Sequence, residues 1–434
     1  MGRTGMHRSK IINSLNRLYM TARLLDNQSD YTVMTLASGL RFVHVRRDTV
    51  AEIFGAATRV GSRDELPGQY GMAHFVEHTI FKGTGSRRAN SIINCMETVG
   101  GELNAYTTKE ETYVYSIFPR GNASRATSLI ADLVTDSVFP DSELDKEREV
   151  VAEEIDSYLD SPSEAVFDDF DDLLFAGTPL GHNILGDTQS LATFHSRECR
   201  AFLDKFYRAP NMTVFYIGGE SAVKMARLIE KQFAGLRDGA VTRENSTTAV
   251  APRFVETRGD GSNHQGHTVM GARIPSLYSP ERHAFALLNN ILGGPGMNSR
   301  LNVSLRERRG LVYNVESSLA MYSDCGVMAI YFGCNPEDTA KCRRLVETEL
   351  RRAADSAISE SVLRRAKRQY IGQLTVSTAS AEQTILSAAR SLLFRDEVIT
   401  PRDIAARIDA LTPADIHAAA QSLRPDSFSS LTLG

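Results

Sequence analysis

The sequence predicts an α+β protein of two similar domains, each an α/β sandwich in which a mostly antiparallel sheet is covered by helices. The chain has 434 residues, which is more than one typical core needs and enough for two domains of about 200 residues. Segments with strand-like and helix-like patterns follow one another, and the same order recurs in the second half. A polar stretch without helical or strand periodicity separates the halves.

These patterns define the expected domain boundaries. We predict an N-terminal extension at residues 1–31, a first domain at 32–235, a linker at 236–252 and a second domain at 253–434.

Each half begins with strands and continues with helices. In the first half we predict strands at 32–47 and 51–65, helices at 71–85 and 91–101, a hairpin at 102–118 and a helix at 141–160. In the second half we predict a strand at 267–275, a helix at 281–293, a strand pair within 310–333, and long helices after it.

Composition excludes several classes of protein. Hydrophobic residues make up 42% of the chain and charged residues 24%, which is typical of a globular protein. The net charge of −4 argues against a nucleic-acid partner. We expect no membrane span, because no apolar run approaches about 20 residues. Five scattered cysteines favour a reducing compartment, and we expect a cytoplasmic protein.

The first 25 residues are basic and contain no acidic residue. Their five cationic side chains are Arg3, Arg8, Lys10, Arg17 and Arg23. The segment is too polar for the apolar core of a secretory signal. We expect a loosely attached extension. A transit peptide, and with it an organelle matrix location, is the alternative.

Charge is distributed unevenly between the two halves. Residues 30–231 hold 20 Lys and Arg against 31 Asp and Glu, a net charge of −11. Ordinary solvated surface is the favoured interpretation of this excess, and an acidic binding domain is the alternative. An acidic first domain would also attract basic peptides.

The segment HFVEH at residues 74–78 carries the main chemical signal. On a helix, residues four apart share one face, so His74 and His78 can bind one metal ion through imidazole nitrogens. Glu77 lies near the same face and would reach a water at the metal without being a ligand. Histidine pairs at this spacing also arise by chance, so the pair alone leaves both interpretations open.

A catalytic zinc site takes three protein ligands and leaves a position for water. The predicted helix at 141–160 offers Glu147 and Glu154, which are seven residues apart and therefore on one face. Apolar neighbours at Val150, Val151 and Ile155 would bury part of that helix. A carboxylate near such a core favours a metal or an ionic partner.

HFVEH resembles the inverted zinc motif, HxxEH, of the M16 metallopeptidases, the family of pitrilysin, insulin-degrading enzyme and mitochondrial processing peptidase. The resemblance implies that the third zinc ligand is Glu154, 76 positions after His78 in the segment VVAEEI. It also implies that Glu147 supports the ligands from beside the metal. Glu153 is a poorer match, since it is six positions from Glu147.

Two further segments resemble the same family. GGELNAYTTKEETYVY at 100–115 is similar to its substrate-binding edge strand, which implies that a peptide pairs along Asn104, Ala105 and Tyr106. Without the resemblance this segment is an ordinary hairpin. Residues 291–315 are similar to a glycine-containing loop with an R-x6-Y pair, here Arg306 and Tyr313, that contacts substrate near the zinc.

The expected function is therefore a zinc endopeptidase with one zinc ion per chain and peptides or unfolded, presequence-like segments as substrates. Glu77 would activate the zinc-bound water, while Arg306 and Tyr313 would hold the substrate. The resemblance implies two chains that enclose a chamber, and a homodimer is favoured because this chain carries both the zinc motif and the R-x6-Y pair. A heterodimer with a related subunit, or a catalytically silent scaffold in a larger complex, is the alternative.

Overall fold

The structure is a computed structural model that describes residues 22–28, 31–243, 252–259 and 264–434. Most of the predicted N-terminal extension and residues 244–251 of the linker lie outside the described residues.

Strands and α-helices are numbered in chain order. The strands are β1 (Ala22–Gln28), β2 (Tyr31–Leu36), β3 (Arg41–Arg46), β4 (Ala51–Thr58), β5 (Glu102–Thr107), β6 (Thr112–Pro119), β7 (Met212–Gly218), β8 (Val255–Arg258), β9 (Gly266–Ile274), β10 (Val312–Met321), β11 (Gly326–Cys334) and β12 (Ser429–Leu433).

The helices of the first half are α1 (Met72–Thr79), α2 (Ala89–Glu97), α3 (Ala123–Asp136), α4 (Asp141–Leu159), α5 (Pro162–Leu174), α6 (Thr188–Leu191), α7 (Ser196–Phe206) and α8 (Ala222–Gln232). Those of the second half are α9 (Arg282–Gly293), α10 (Thr339–Asp355), α11 (Glu360–Ser377), α12 (Ala381–Arg395), α13 (Pro401–Ala410) and α14 (Pro413–Ser422). A short π-helix covers Asn302–Glu307.

The chain forms two compact α+β units, which confirms the predicted fold class. As far as they are described, the first unit comprises Met1–Glu153, Ile184–Glu244 and Ala379–Ile399. The second comprises Glu154–Asn183, Asn245–Thr378 and Thr400–Gly434. Each unit is built from three separate stretches of the chain, whereas the sequence analysis predicted one continuous stretch for each domain. The physical reason is that α5 packs on strands β9 and β12, while α12 packs on β3, β4 and β7.

The first unit contains a seven-stranded sheet with the order β1-β2-β3-β7-β4-β6-β5. Every neighbouring pair is antiparallel except β3 and β7. Strand β5 stands at one end of this sheet, and the predicted hairpin at 102–118 is formed by β5 and β6. Strand β1 lies at the other end, so residues 22–28 of the predicted loose extension pair with β2.

The second unit contains a five-stranded sheet with the order β10-β11-β9-β12-β8, in which only β12 and β8 are parallel. Successive side chains of a strand point to opposite faces. Met270 accordingly joins one apolar cluster with Leu288 of α9, while Val269 joins another with Phe170 of α5. Helices therefore cover this sheet on both faces.

Part of the predicted linker is fixed to the first unit. Arg243 Nε donates to Asp64 Oδ1 at 2.9 Å, and Arg243 Nη2 donates to Asn211 Oδ1 at 3.1 Å. Within the described ranges, no helix is both long enough and apolar enough to cross a membrane.

Candidate metal centre

Helix α1 is held by an apolar stripe along one side. Met72, Phe75, Val76 and Thr79 are buried at the spacing of one helical face. The Phe75 ring packs against Phe194 with centroids 5.6 Å apart. The adjacent face of α1 carries the histidines and the glutamate of the HFVEH segment.

The start of α1 is fixed by a glutamate from the preceding loop. Glu65 is buried, and its two carboxylate oxygens accept hydrogen bonds from the backbone N–H groups of Gly71, at 2.9 Å, and Ala73, at 2.7 Å. A carboxylate at this position satisfies free N–H groups and opposes the positive end of the helix dipole. Gly71 has a φ of 95°, and a Cβ atom there would lie 2.5 Å from the carbonyl oxygen of Leu185, so glycine is required.

His74 and His78 lie side by side, as the helical spacing predicts. Their ring centroids are 4.4 Å apart. His74 is only 7% exposed. Burial, and secondarily the neighbouring His78, lowers the pKa of His74 to about 3. The ring is therefore neutral at physiological pH and carries a lone pair that can bind a metal.

Helix α4 brings the acidic residue to this pair. Ligand atoms of His74, His78 and Glu154 all lie within 4.8 Å of one another. The boundary between the compact units falls between Glu153 and Glu154, but α4 is one continuous helix across it. The group contains Glu154, the better match to the family pattern, and not Glu153. Val151 and Ile155 are buried as expected, whereas Val150 is 50% exposed, because it lies on the solvent side of α4.

Glu147 contacts His78 from beside the three candidate ligands. Its Oε1 atom lies 3.1 Å from His78 Nδ1, and its Oε2 atom lies 2.5 Å from Lys82 Nζ. Burial acts to raise the pKa of Glu147, but the hydrogen bonds from His78 and Lys82 hold it below its ordinary value. Since the ionised carboxylate only accepts hydrogen bonds, His78 Nδ1 carries the proton. In the neutral ring of His78, the lone pair is therefore on Nε2.

This set of donors fits a zinc ion. Two neutral imidazoles and one carboxylate are a common protein ligand set of catalytic zinc, which keeps a fourth position for water. A carboxylate that accepts from the non-ligating nitrogen of a histidine is also usual at such sites. His74, His78 and Glu154 would hold the ion.

Glu77 lies on the strand side of α1. Thr107 Oγ1, at the end of edge strand β5, donates to Glu77 Oε2 at 3.2 Å. The negative charge of Glu77 also adds to burial in raising the pKa of Tyr207. Glu77 is thus a partly buried carboxylate on the same helix as the two histidines, and its role in proton transfer stays a prediction.

The segment predicted to bind substrate contains an edge strand, β5, and its binding role stays a prediction. Asn104, Ala105 and Tyr106 lie in β5, opposite Tyr115, Val114 and Tyr113 of β6, respectively. All three are half-buried. The Tyr106 ring stacks on Tyr113 with centroids 4.6 Å apart. The outer edge of β5 therefore offers main-chain hydrogen-bonding groups next to Glu77.

Arg306 and Tyr313 belong to the second unit. Arg306 lies in the π-helix Asn302–Glu307, and Tyr313 lies in β10, where the pairing with β11 shifts register between Val312 and Asn314. Both side chains are exposed, Tyr313 to 67%. Their role toward a substrate stays a prediction.

Three residues of the site were not found from the sequence. Lys82 contacts Glu147 from the segment just after α1, so the helical spacing that places His74 and His78 does not extend to it. Thr107 and Glu65 carried no signal either, because their contacts with α1 form only when the hairpin and the preceding loop pack against it.

Two histidines from one helix and a glutamate from another form a group that could hold a metal ion, on an α+β fold of two compact units. Residues 54–188 match the family model described as insulinase, peptidase family M16, and residues 194–370 match the model described as peptidase M16 inactive domain. An uncharacterized zinc protease of Streptomyces coelicolor is 32% identical over 382 residues, which cover 86% of this chain and 83% of the relative. One of Bacillus subtilis is 30% identical over 349 residues, covering 80% and 84%. The chain belongs to peptidase family M16.

Solved structures show the same fold. A protease from Helicobacter pylori superposes with a TM-score of 0.85 at 21% identity and covers 93% of this chain and 99% of its own. A peptidase M16 inactive domain from Pseudomonas fluorescens has a TM-score of 0.85 at 20% identity and covers 93% and 98%.

Proposed function

We propose that this protein is a zinc-dependent endopeptidase that binds one zinc ion per chain. The observation that carries the proposal is that ligand atoms of His74, His78 and Glu154 lie within 4.8 Å of one another, with Glu77 on the same helix as the two histidines. Membership in family M16 and the zinc protease names of its relatives support the same conclusion.

The expected chemistry needs both the ion and a proton carrier. Bound zinc supplies a Lewis acid that polarises a carbonyl and lowers the pKa of a water toward about 7. Glu77 takes the proton of the attacking water and delivers it to the leaving amine. The hydrogen bond from Thr107 to Oε2 holds the Glu77 carboxylate in place, while Glu147 fixes the ring of His78.

The substrate is a peptide or an unfolded segment bound in extended form. It adds to the sheet of the first unit beside β5, so that its backbone pairs with Asn104, Ala105 and Tyr106. Main-chain pairing is tolerant of sequence, which suits a broad set of peptides. The excess of acidic residues in the first half favours basic, presequence-like segments.

Arg306 and Tyr313 hold the substrate in the proposed enzyme. Two chains together form a dimeric chamber. A homodimer is favoured because one chain carries both the zinc motif and the R-x6-Y pair. We place the protein in the cytoplasm, with an organelle matrix as the alternative if the basic N-terminal residues direct import.

Removal and return of the metal test this function. Cleavage of a quenched fluorescent peptide should stop after treatment with a chelator and return when one equivalent of Zn²⁺ per chain is added. Cleavage that persists in the metal-free protein would contradict the proposal. Zinc binding without cleavage of a broad peptide set would favour the scaffold alternative.

A further inference from the structure

Helix α12 is the element of the first unit that comes from the far end of the chain. It lies after residue 370, where the second family-model match ends, yet it packs on β3, β4 and β7. Ile385, Ala388, Ala389 and Leu392 are buried on one of its faces. Beyond this core, α12 contacts the hairpin that carries the edge strand.

The first contact is near the N-terminal end of α12. Tyr115 Oη donates to Glu382 Oε1 at 2.6 Å. Tyr115 lies in β6 directly opposite Asn104, one of the proposed peptide-pairing residues of β5.

The second contact is two turns further along α12. Arg390 Nε donates to Glu111 Oε1 at 2.7 Å, and Glu111 is buried. Glu111 belongs to the turn between β5 and β6, which is closed by the hydrogen bond from Thr108 N to Glu111 O at 2.8 Å. The Arg390 guanidinium also lies over the Phe394 ring, with its Cζ atom 5.3 Å from the ring centroid.

The two contacts are separated by about the same distance on helix α12 as on the β5–β6 hairpin. Glu382 and Arg390 are eight residues apart, about 12 Å along a helix. Tyr115 and Glu111 are four residues apart, about 13 Å along an extended chain. Helix α12 therefore contacts the hairpin at two points, and both points lie on the same face of the hairpin.

That same face carries the side chains next to the proposed peptide-binding edge. Tyr106 of β5 stacks on Tyr113, which lies between the two contact points. The next residue, Thr107, donates to Glu77. A movement of the turn would therefore displace both the edge strand and the group that orients Glu77.

We propose that Glu382 and Arg390 of helix α12 are positioning residues that hold edge strand β5 in register for peptide binding. This inference rests on the proposed peptidase function, but it is tested by peptide binding, which can be measured without cleavage. Neither residue touches the substrate. Each acts through the β5–β6 hairpin.

The test measures binding of a fluorescein-labelled basic peptide of about ten residues by anisotropy, with the full-length, zinc-loaded Glu77→Gln variant as background. We expect Arg390→Met to weaken binding about tenfold while zinc content is unchanged, because Glu111 is left buried without its partner. The Arg390→Met/Glu111→Gln double variant should bind no more weakly than Arg390→Met, because both lack the same contact. Tyr115→Phe, a milder change, should weaken binding about threefold.

Arg351→Met is the matched control. Arg351 forms an exposed ion pair with Glu347 in α10, at 3.0 Å, and its loss should leave peptide binding unchanged. Unchanged binding in Arg390→Met, a further loss of affinity in the double variant, or no peptide binding in the background protein would each overturn the proposal. If Arg390→Met does not fold, Tyr115→Phe decides, and unchanged binding there overturns it. The peptidase function is judged separately, by cleavage in the wild type.

Discussion

His78 Nδ1 donates a hydrogen bond to Glu147 Oε1 at 3.1 Å. This contact joins helices α1 and α4 and fixes the tautomer of one candidate zinc ligand. Glu147 lies seven residues, about two turns, before Glu154 on α4, so both carboxylates are on the face of α4 that meets the histidines.

Loss of this contact should weaken zinc binding. We expect Glu147→Gln to lower zinc affinity about 10- to 100-fold, because the amide supports the imidazole less well than the carboxylate. Competition with a chromophoric chelator measures the affinity. Glu149→Gln, a change at an exposed position of the same helix, is the control. Equal affinity in the two variants would contradict this role.

The identity of the third ligand can be tested by two adjacent substitutions. Glu154→Ala should remove most bound zinc, because only two protein ligands remain. Glu153→Ala should keep about one zinc ion per chain, since Glu153 is not in the group around the histidines. Metal analysis after dialysis distinguishes them, and zinc loss in the Glu153 variant alone would reverse the assignment.

Assembly is tested by complementation. A Glu77→Gln chain mixed with an Arg306→Ala/Tyr313→Ala chain should regain cleavage, because a mixed dimer contains one intact zinc centre and one intact R-x6-Y pair acting in trans. Each variant alone should be inactive. Absence of any recovery after confirmed subunit exchange would exclude action in trans.

A buried histidine away from the metal centre makes stability depend on pH. His44 Nε2 lies 2.8 Å from the carbonyl oxygen of Glu220. Burial, opposed only partly by that hydrogen bond, lowers the pKa of His44 to about 4. The unfolded chain therefore binds a proton here at higher pH than the folded one, and stability falls as the pH drops from about 6.5 toward 4.

The expected loss from His44 is about 2–3 kcal/mol across that range. His44→Gln should unfold in urea with a smaller change of stability between pH 7 and pH 4.5 than the wild type. A variant with the same pH dependence as the wild type would show that His44 does not titrate in this way.

The sequence predicted the parts of the site that depend on local periodicity. The i,i+4 spacing of His74 and His78 and the seven-residue spacing of Glu147 and Glu154 are fixed by the helix itself. It did not predict the contacts of Arg390 with Glu111 or of Thr107 with Glu77, because these join residues 279 and 30 positions apart. No local pattern encodes which distant helix packs on which sheet.

The same limit applies to the fold. Alternation of apolar and polar residues predicted the β5–β6 hairpin, whose register follows from the turn. The placement of α5 on the second sheet and α12 on the first depends on tertiary packing. The ranges of the two units therefore alternate along the chain. The sequence predicted the order of the strands and helices but not this alternation.

The most direct measurement is zinc content together with peptide cleavage for the wild type and Glu77→Gln, prepared in parallel. We expect about one zinc ion per chain in both proteins and cleavage only in the wild type, because Glu77 carries the proton without binding the metal. Loss of zinc in Glu77→Gln would make Glu77 a ligand. Full cleavage by a zinc-loaded Glu77→Gln would contradict the proposed role of Glu77.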